Sequence, residues 1–167
     1  MKKIIVVTHG KMAEAMVSAA RGLVGASSGV SALNFEEWQS VAELRGAIKR
    51  ELGEKPDDDI FILTDFLGGS PSNCACAFLI NEKIRVISGV NMPMLVELIL
   101  KRDKLPADKV VDVIIKAGRD SIADVGEKFR ASSLCEEEDS EEESPAGLSG
   151  RALALRGKRI NDNTFKN

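Results

Sequence analysis

Two short apolar runs, Ile4-Ile5-Val6-Val7 and Ile60-Phe61-Ile62-Leu63, lack the polar alternation of a half-solvated strand and are too short for an ordinary helix. Such runs suit strands covered on both faces, which is how a parallel sheet sits between helices. The segments that follow them have helical period. Residues 11–24 place Met12, Met16, Ala19 or Ala20, and Leu23 on one face. Ser40-Val41-Ala42-Glu43 is a capping box, and Val41, Leu44, Ile48 and Leu52 continue from it as one stripe, so 41–53 reads as an amphipathic helix.

The alternation holds along the rest of the chain. Ser31 to Phe35 reads as a shorter strand, and Ile84 to Ile87 as a fourth. Ser70-Pro71 after Gly68-Gly69 predicts a helix from about residue 71, with Ser70 as its cap and proline in the first helical position. Asn91 can cap a helix carrying Leu95, Val96, Leu98 and Ile99. A last helical pattern runs from Pro106 through Val111, Ile114, Ile122 and Val125, with a bend allowed at Gly118. Repeated βα units predict an α/β fold, doubly wound, with a mainly parallel sheet, helices on both faces and room for an antiparallel edge strand.

Past Arg130 the periodicity fails. Glu136 to Glu143 carries seven carboxylates, and Ser144-Pro145-Ala146-Gly147 follows. Two parts are therefore expected, a folded domain over 1–130 and an acidic linker and disordered tail over 131–167. Residues 1–130 hold 18 basic and 18 acidic groups, and that balance gives no footprint for nucleic acid.

Cys74, Cys76 and Cys135 form no CxxC pair and no second cluster, so neither a disulfide framework nor a zinc site is indicated. A reducing cytoplasm fits that usage. The apolar run behind Met1-Lys2-Lys3 is four residues long, too short for a signal sequence or a span, so no membrane insertion is expected.

Chemistry concentrates where the buried runs stop. The only histidine, His9, closes Val6-Val7-Thr8-His9-Gly10, and Asp65 closes Ile62-Leu63-Thr64-Asp65. Parallel strands carry their sites at their carboxyl ends, so the two could form a hydrogen-bonded imidazole–carboxylate pair. Taken singly, each residue also has a structural reading. Asp65 could cap a turn, Gly68-Gly69 could permit positive φ, Ser70 could be only a cap, and Asn91 a cap supporting the site. Met12 could line the pocket mouth or join the core, and Phe66 and Leu67 could form an apolar rim for a partner. Cys74 and Cys76 do not share a helix face and read as small packing residues.

Three segments carry a resemblance: Ile4 to Gly10, Leu63-Thr64-Asp65-Phe66-Leu67-Gly68-Gly69-Ser70-Pro71-Ser72-Asn73, and Gly89-Val90-Asn91-Met92-Pro93-Met94-Leu95. In order and spacing they resemble the signature segments of the mannose-family enzyme IIA domain of the bacterial sugar phosphotransferase system, and Ala117-Gly118-Arg119-Asp120 resembles its end. The resemblance covers about residues 1–130. It implies a phosphotransferase component in which His9 accepts a phosphoryl group from the histidine-containing phosphocarrier protein and passes it to an enzyme IIB component, with no cofactor or metal expected because the donor is itself phosphorylated. By position, Asp65 would bond one ring nitrogen, Ser70 with the backbone at Gly68 and Gly69 would contact the phosphoryl group, and Gly10, Met12, Phe66, Leu67 and Asn91 would shape or support the pocket. A homodimer is implied too, with a strand near the domain's end exchanged between subunits, although Arg130 to Leu134 makes a poor strand.

The residues also admit two other classes. One is a regulatory phosphoacceptor that uses the same histidine but acts by binding a partner protein. The other is a nucleotide-binding doubly wound domain, the weakest reading, because Gly10-Lys11-Met12-Ala13 is not GxGxxG and no GxxxxGK[ST] occurs. Gly68-Gly69-Ser70-Pro71 favours the mannose family over the phosphoryl-donor subunit of dihydroxyacetone kinase, which shares the fold.

Overall fold

The computed structural model of the protein describes residues 1–25, 28–54 and 58–130. The order of elements is β1 (Lys3–His9), α1 (Met12–Val24), β2 (Val30–Phe35), α2 (Val41–Leu52), β3 (Ile60–Thr64), α3 (Ser70–Cys76), β4 (Ile84–Ser88), α4 (Met92–Lys101) and α5 (Ala107–Asp120). The strands pair in the order β2-β1-β3-β4, every pair parallel. The expected doubly wound α/β architecture is therefore present. Among the described residues no strand pairs antiparallel to this sheet; the segment read as a poor exchange strand lies almost wholly outside them.

Strand alternation sorts the core into two layers. Ile4 and Val6 with Phe61 and Leu63 face α1, α4 and α5, where they meet Ala13, Val17, Leu95, Leu98, Val110 and Ile114. Ile5 and Val7 with Ile60 and Ile62 face α2 and α3, where Leu44, Ile48, Cys74 and Ala75 close over them. The unbroken apolar runs follow from this double cover, since every β1 residue from Ile4 to Val7 is fully buried.

Three local expectations need correction. The buried face of α1 is Ala13, Val17 and Ala20, one residue on from the face read through Met12 and Leu23, both of which are exposed. Alanine and valine let α1 lie close to the sheet; the longer Met16 packs at the margin of the core. Gly69, not Ser70, is the N-cap of α3, and Ser70 and Pro71 are already helical. The last helix stops at Asp120, because the Ser121 N–H caps Ala117 O and its hydroxyl donates to Gly118 O at 2.7 Å. Ile122 is exposed beyond that stop, and residues 125–130 form a separate helical turn with the Glu127 N–H on Asp124 Oδ1.

Gly118 serves packing. A Cβ there would stand 2.5 Å from Met94 Cγ and 2.7 Å from its Sδ, so the bare backbone is what lets α5 approach α4. The capping residues follow the sequence. Ser40 and Glu43 cap α2 reciprocally, and Asn91 accepts from the Met94 N–H at the start of α4.

Candidate functional site

In the strand order β2-β1-β3-β4 the chain reverses direction of growth between β1 and β3, and ligands of open parallel sheets bind at the carboxyl ends beside that point. β1 ends there on His9, and Asp65 directly follows β3. Asp65 Oδ2 accepts from the His9 backbone N–H at 2.9 Å and lies 2.6 Å from His9 Nδ1. Its other oxygen, Oδ1, accepts from the Phe66 N–H at 3.0 Å. Burial alone would raise the Asp65 carboxyl, but the hydrogen bonds from the His9 backbone, the His9 ring and the Phe66 N–H outweigh it and hold the group below its ordinary value.

An ionised carboxylate can only accept, so Nδ1 carries the proton of the neutral ring and Nε2 keeps the lone pair. The His9 side chain is 39% exposed and that of Asp65 only 10%. An imidazole open to solvent thus stands on a carboxylate screened from water.

The loop after Asp65 wraps the imidazole. The Phe66 ring lies parallel to it at 5.0 Å and 10°, and Phe35, at the end of β2, meets it edgewise at 5.7 Å and 64°. Gly69 packs against the ring: a Cβ there would be 3.0 Å from His9 Cε1. Gly68, at φ +86°, makes the turn that brings Gly69 in. Gly10, at φ +55°, donates its N–H to Phe35 O at 2.9 Å and joins β1 to the end of β2. The Gly89 N–H donates to Asp65 O at 2.8 Å, which ties the β4–α4 loop to the carboxylate's backbone.

Of the residues singled out in the sequence, the structure gathers His9, Asp65, Phe66, Gly69 and Gly10, with Ser70 beside Gly69 as the first residue of α3. Leu67 is strongly exposed at the turn. Met12 is not part of the His9 pocket, which is lined by His9, Gly10, Phe35, Glu36, Glu37 and Trp38. Asn91 lies in a different cavity, with Met94 and Gly118, and donates to Gly118 O at 3.2 Å. Phe35, Glu36, Glu37 and Trp38 escaped the sequence reading. The signal was the register, since a strand beside β1 must end level with His9, and His9 does pair with Phe35. Among the described residues no group of His, Cys, Asp and Glu is gathered to hold a metal ion, and no helix is long and apolar enough to cross a membrane.

Fold and site together define a doubly wound α/β domain with an imidazole–carboxylate pair at its topological switch point. The family model described as "PTS system fructose IIA component" matches residues 3–115, and the chain belongs to this mannose-type enzyme IIA family of the phosphotransferase system. It is 32% identical over 122 residues to the mannose-specific EIIAB component of Escherichia coli K12, which covers 71% of this chain and 38% of that protein. It is 31% identical over 101 residues to the sorbose-specific EIIA component of Klebsiella pneumoniae, 60% of this chain and 74% of the relative. The chain thus spans under two fifths of the length of the mannose-specific relatives. Among solved structures, EIIA from Streptococcus agalactiae superposes with TM-score 0.70 at 34% identity, covering 75% of this chain and 98% of the other. The PTS IIA protein associated with the fucose utilization operon of Streptococcus pneumoniae gives 0.70 at 27%, covering 77% and 96%.

Proposed function

We propose that this chain is a phosphocarrier in which His9 takes a phosphoryl group from the histidine-containing phosphocarrier protein and passes it to an enzyme IIB component for sugar uptake. The observation that carries the reading is the 2.6 Å contact between His9 Nδ1 and Asp65 Oδ2, made at the sheet's switch point by a half-exposed ring. Family membership supports it independently.

The step follows from that contact. The Nε2 lone pair of His9 forms a bond to phosphorus as the donor's N–P bond breaks, and the donor ring keeps the electron pair of the broken bond. The proton on Nδ1 stays where it is, so the His9 ring becomes positively charged and the Asp65 carboxylate balances it. Transfer onward reverses these events. By the same reading Ser70 and the backbone at Gly68 and Gly69 meet the phosphoryl oxygens, which the approach of Gly69 to His9 Cε1 supports. Positioning and charge screening are the protein's whole contribution, because the donor is itself phosphorylated and no cofactor takes part.

The domain is assigned to residues 1–130 and placed in the cytoplasm, where a phosphohistidine donor would meet it. It is taken as a homodimer. Among the described residues β2 pairs only with β1 and β4 only with β3, so both sheet edges are open to a second chain.

The test is phosphorylation by phosphoenolpyruvate, enzyme I and the phosphocarrier protein. One acid-labile, base-stable phosphoryl group is expected on the wild type and none on His9→Ala. Undiminished labelling of His9→Ala would sink the reading. Light scattering of the purified chain checks the dimer, a monomer mass overturning it.

A further inference from the structure

The His9 ring is held across its face as well as through Nδ1. Phe66 lies almost parallel to it, 5.0 Å away at 10°. The backbone makes this stack possible. The Phe66 N–H is fixed on Asp65 Oδ1, and its carbonyl accepts from the Gly69 N–H at 3.4 Å. A side chain at position 69 would put Cβ 2.9 Å from Phe66 Cε2 and Cζ and 3.0 Å from His9 Cε1, so glycine leaves both rings their places. The Asp65 carboxylate therefore organises two things at once: one oxygen takes the imidazole, the other starts the turn that lays a phenyl ring over it. Phe66 is 55% exposed, which burial of apolar area alone does not explain.

An aromatic face carries the negative part of the ring quadrupole and attracts positive charge. A ring that attacks through its Nε2 lone pair carries one proton and no charge, and it is positive once it holds a phosphoryl group on Nε2 and a proton on Nδ1. The stack is thus stronger after phosphorus arrives than before, which is the condition for an interaction to favour the transferred state rather than bind both equally. It also fixes the plane of the ring and so the line along which Nε2 attacks.

We infer that Phe66 is a positioning residue of the phosphoacceptor site, fixing the imidazole plane and stabilising the positive ring of phosphohistidine; this rests on the reading of His9 as the acceptor. Glycine at 69 is its structural counterpart.

Phosphoramidate separates this role from partner docking, because its own N–P bond breaks with release of ammonia and no donor protein need bind. Wild type, Phe66→Leu and Phe66→Tyr are labelled with it, and the lifetime of each isolated phosphoprotein is followed across pH. Phe66→Leu keeps an apolar side chain without the π face. It should label about fivefold more slowly and lose its phosphoryl group correspondingly faster, as expected for one exposed cation–π contact. Phe66→Tyr should stay within about twofold of wild type. All three should unfold at the same temperature. Equal rates and lifetimes for wild type and Phe66→Leu would overturn the inference alone, as would equal impairment of the Leu and Tyr variants. Wild type that takes no phosphoryl group on His9, from phosphoramidate or from the phosphocarrier protein, would overturn the acceptor reading and this inference with it.

Discussion

One oxygen of Asp65 holds His9 twice, accepting from its backbone N–H at 2.9 Å and lying 2.6 Å from its ring Nδ1. The carboxylate is shared between fold and chemistry. The first bond fixes where β1 ends beside β3, and the second fixes which ring nitrogen carries the proton.

Replacing Asp65 with asparagine separates the two roles. The amide oxygen of the new side chain can still accept from the backbone N–H, so the fold should survive Asp65→Asn. The negative charge that balances the growing imidazolium is gone, and labelling of His9 should slow roughly tenfold to a hundredfold. Nitrogen-15 NMR should show Nδ1–H as the dominant tautomer in the wild type and a mixture in the variant. A wild-type ring protonated chiefly on Nε2 would contradict the assignment of the nucleophile.

The same carboxylate sets an acid limb of stability. Its folded value lies below the ordinary 3.8. A depressed carboxyl adds stability that is present above its unfolded value and is lost as pH falls through the folded one. Wild type should therefore lose its advantage over Asp65→Asn as pH drops below about 4. Unfolding midpoints of the two proteins at pH 7 and pH 3 check this, and a gap that widens on acidification would reverse the sign.

Trp38 offers an optical reading of the site. It is the sole tryptophan, is 78% exposed and lines the pocket that contains His9. A phosphoryl group arriving on His9 places new negative charge in that pocket beside Glu36 and Glu37. Tryptophan emission should change on phosphorylation of the wild type and stay constant in His9→Ala under the same mixture.

How much of this was legible in the sequence depends on what each element rests on. His9 and Asp65 could be found because unbroken apolar runs mark doubly covered strands, and strand ends in such sheets converge. Ser40 and Asn91 could be found because a cap is a local hydrogen bond. The burial of α1 could not be phased, since Met12, Met16 and Leu23 are as apolar as Ala13, Val17 and Ala20; only the closeness of the sheet selects the smaller set. The stack of Phe66 on His9 was hidden for a related reason. It depends on the turn through Gly68 and on the absent side chain of Gly69, a shape that no periodicity encodes.

Gly118 tests the helix packing apart from the site. Gly118→Ala puts a methyl 2.5 Å from Met94 Cγ and 3.1 Å from Asn91 Nδ2, so α4 and α5 must shift or Met94 must leave its rotamer. The expected cost is about 1–3 kcal/mol, outweighing the gain in helix propensity of alanine over glycine. Thermal unfolding of a double-mutant cycle with Met94→Ala should show the two changes to be non-additive, with Gly118→Ala cheaper once Met94 is shortened. Strict additivity would mean that the methyl is accommodated elsewhere.

The strands and helices from β1 to α5 all fall within residues 1–120, and residues 1–123 form one compact unit. Both core layers are drawn from those elements, and both members of the His9–Asp65 pair lie within that unit. Beyond Arg130 the sequence loses its apolar period, and Glu136 to Glu143 carries seven carboxylates. A chain cut after Arg130 should therefore unfold at the temperature of the full chain and take one phosphoryl group on His9 at an undiminished rate. Calorimetry and labelling of the two proteins side by side check both points. A cut chain that labels normally but sediments as a monomer, where the full chain is a dimer, would place the element that pairs the subunits in residues 131–167. One that fails to fold would show that the core described by β1 to α5 is incomplete, and the boundary at Arg130 would have to move.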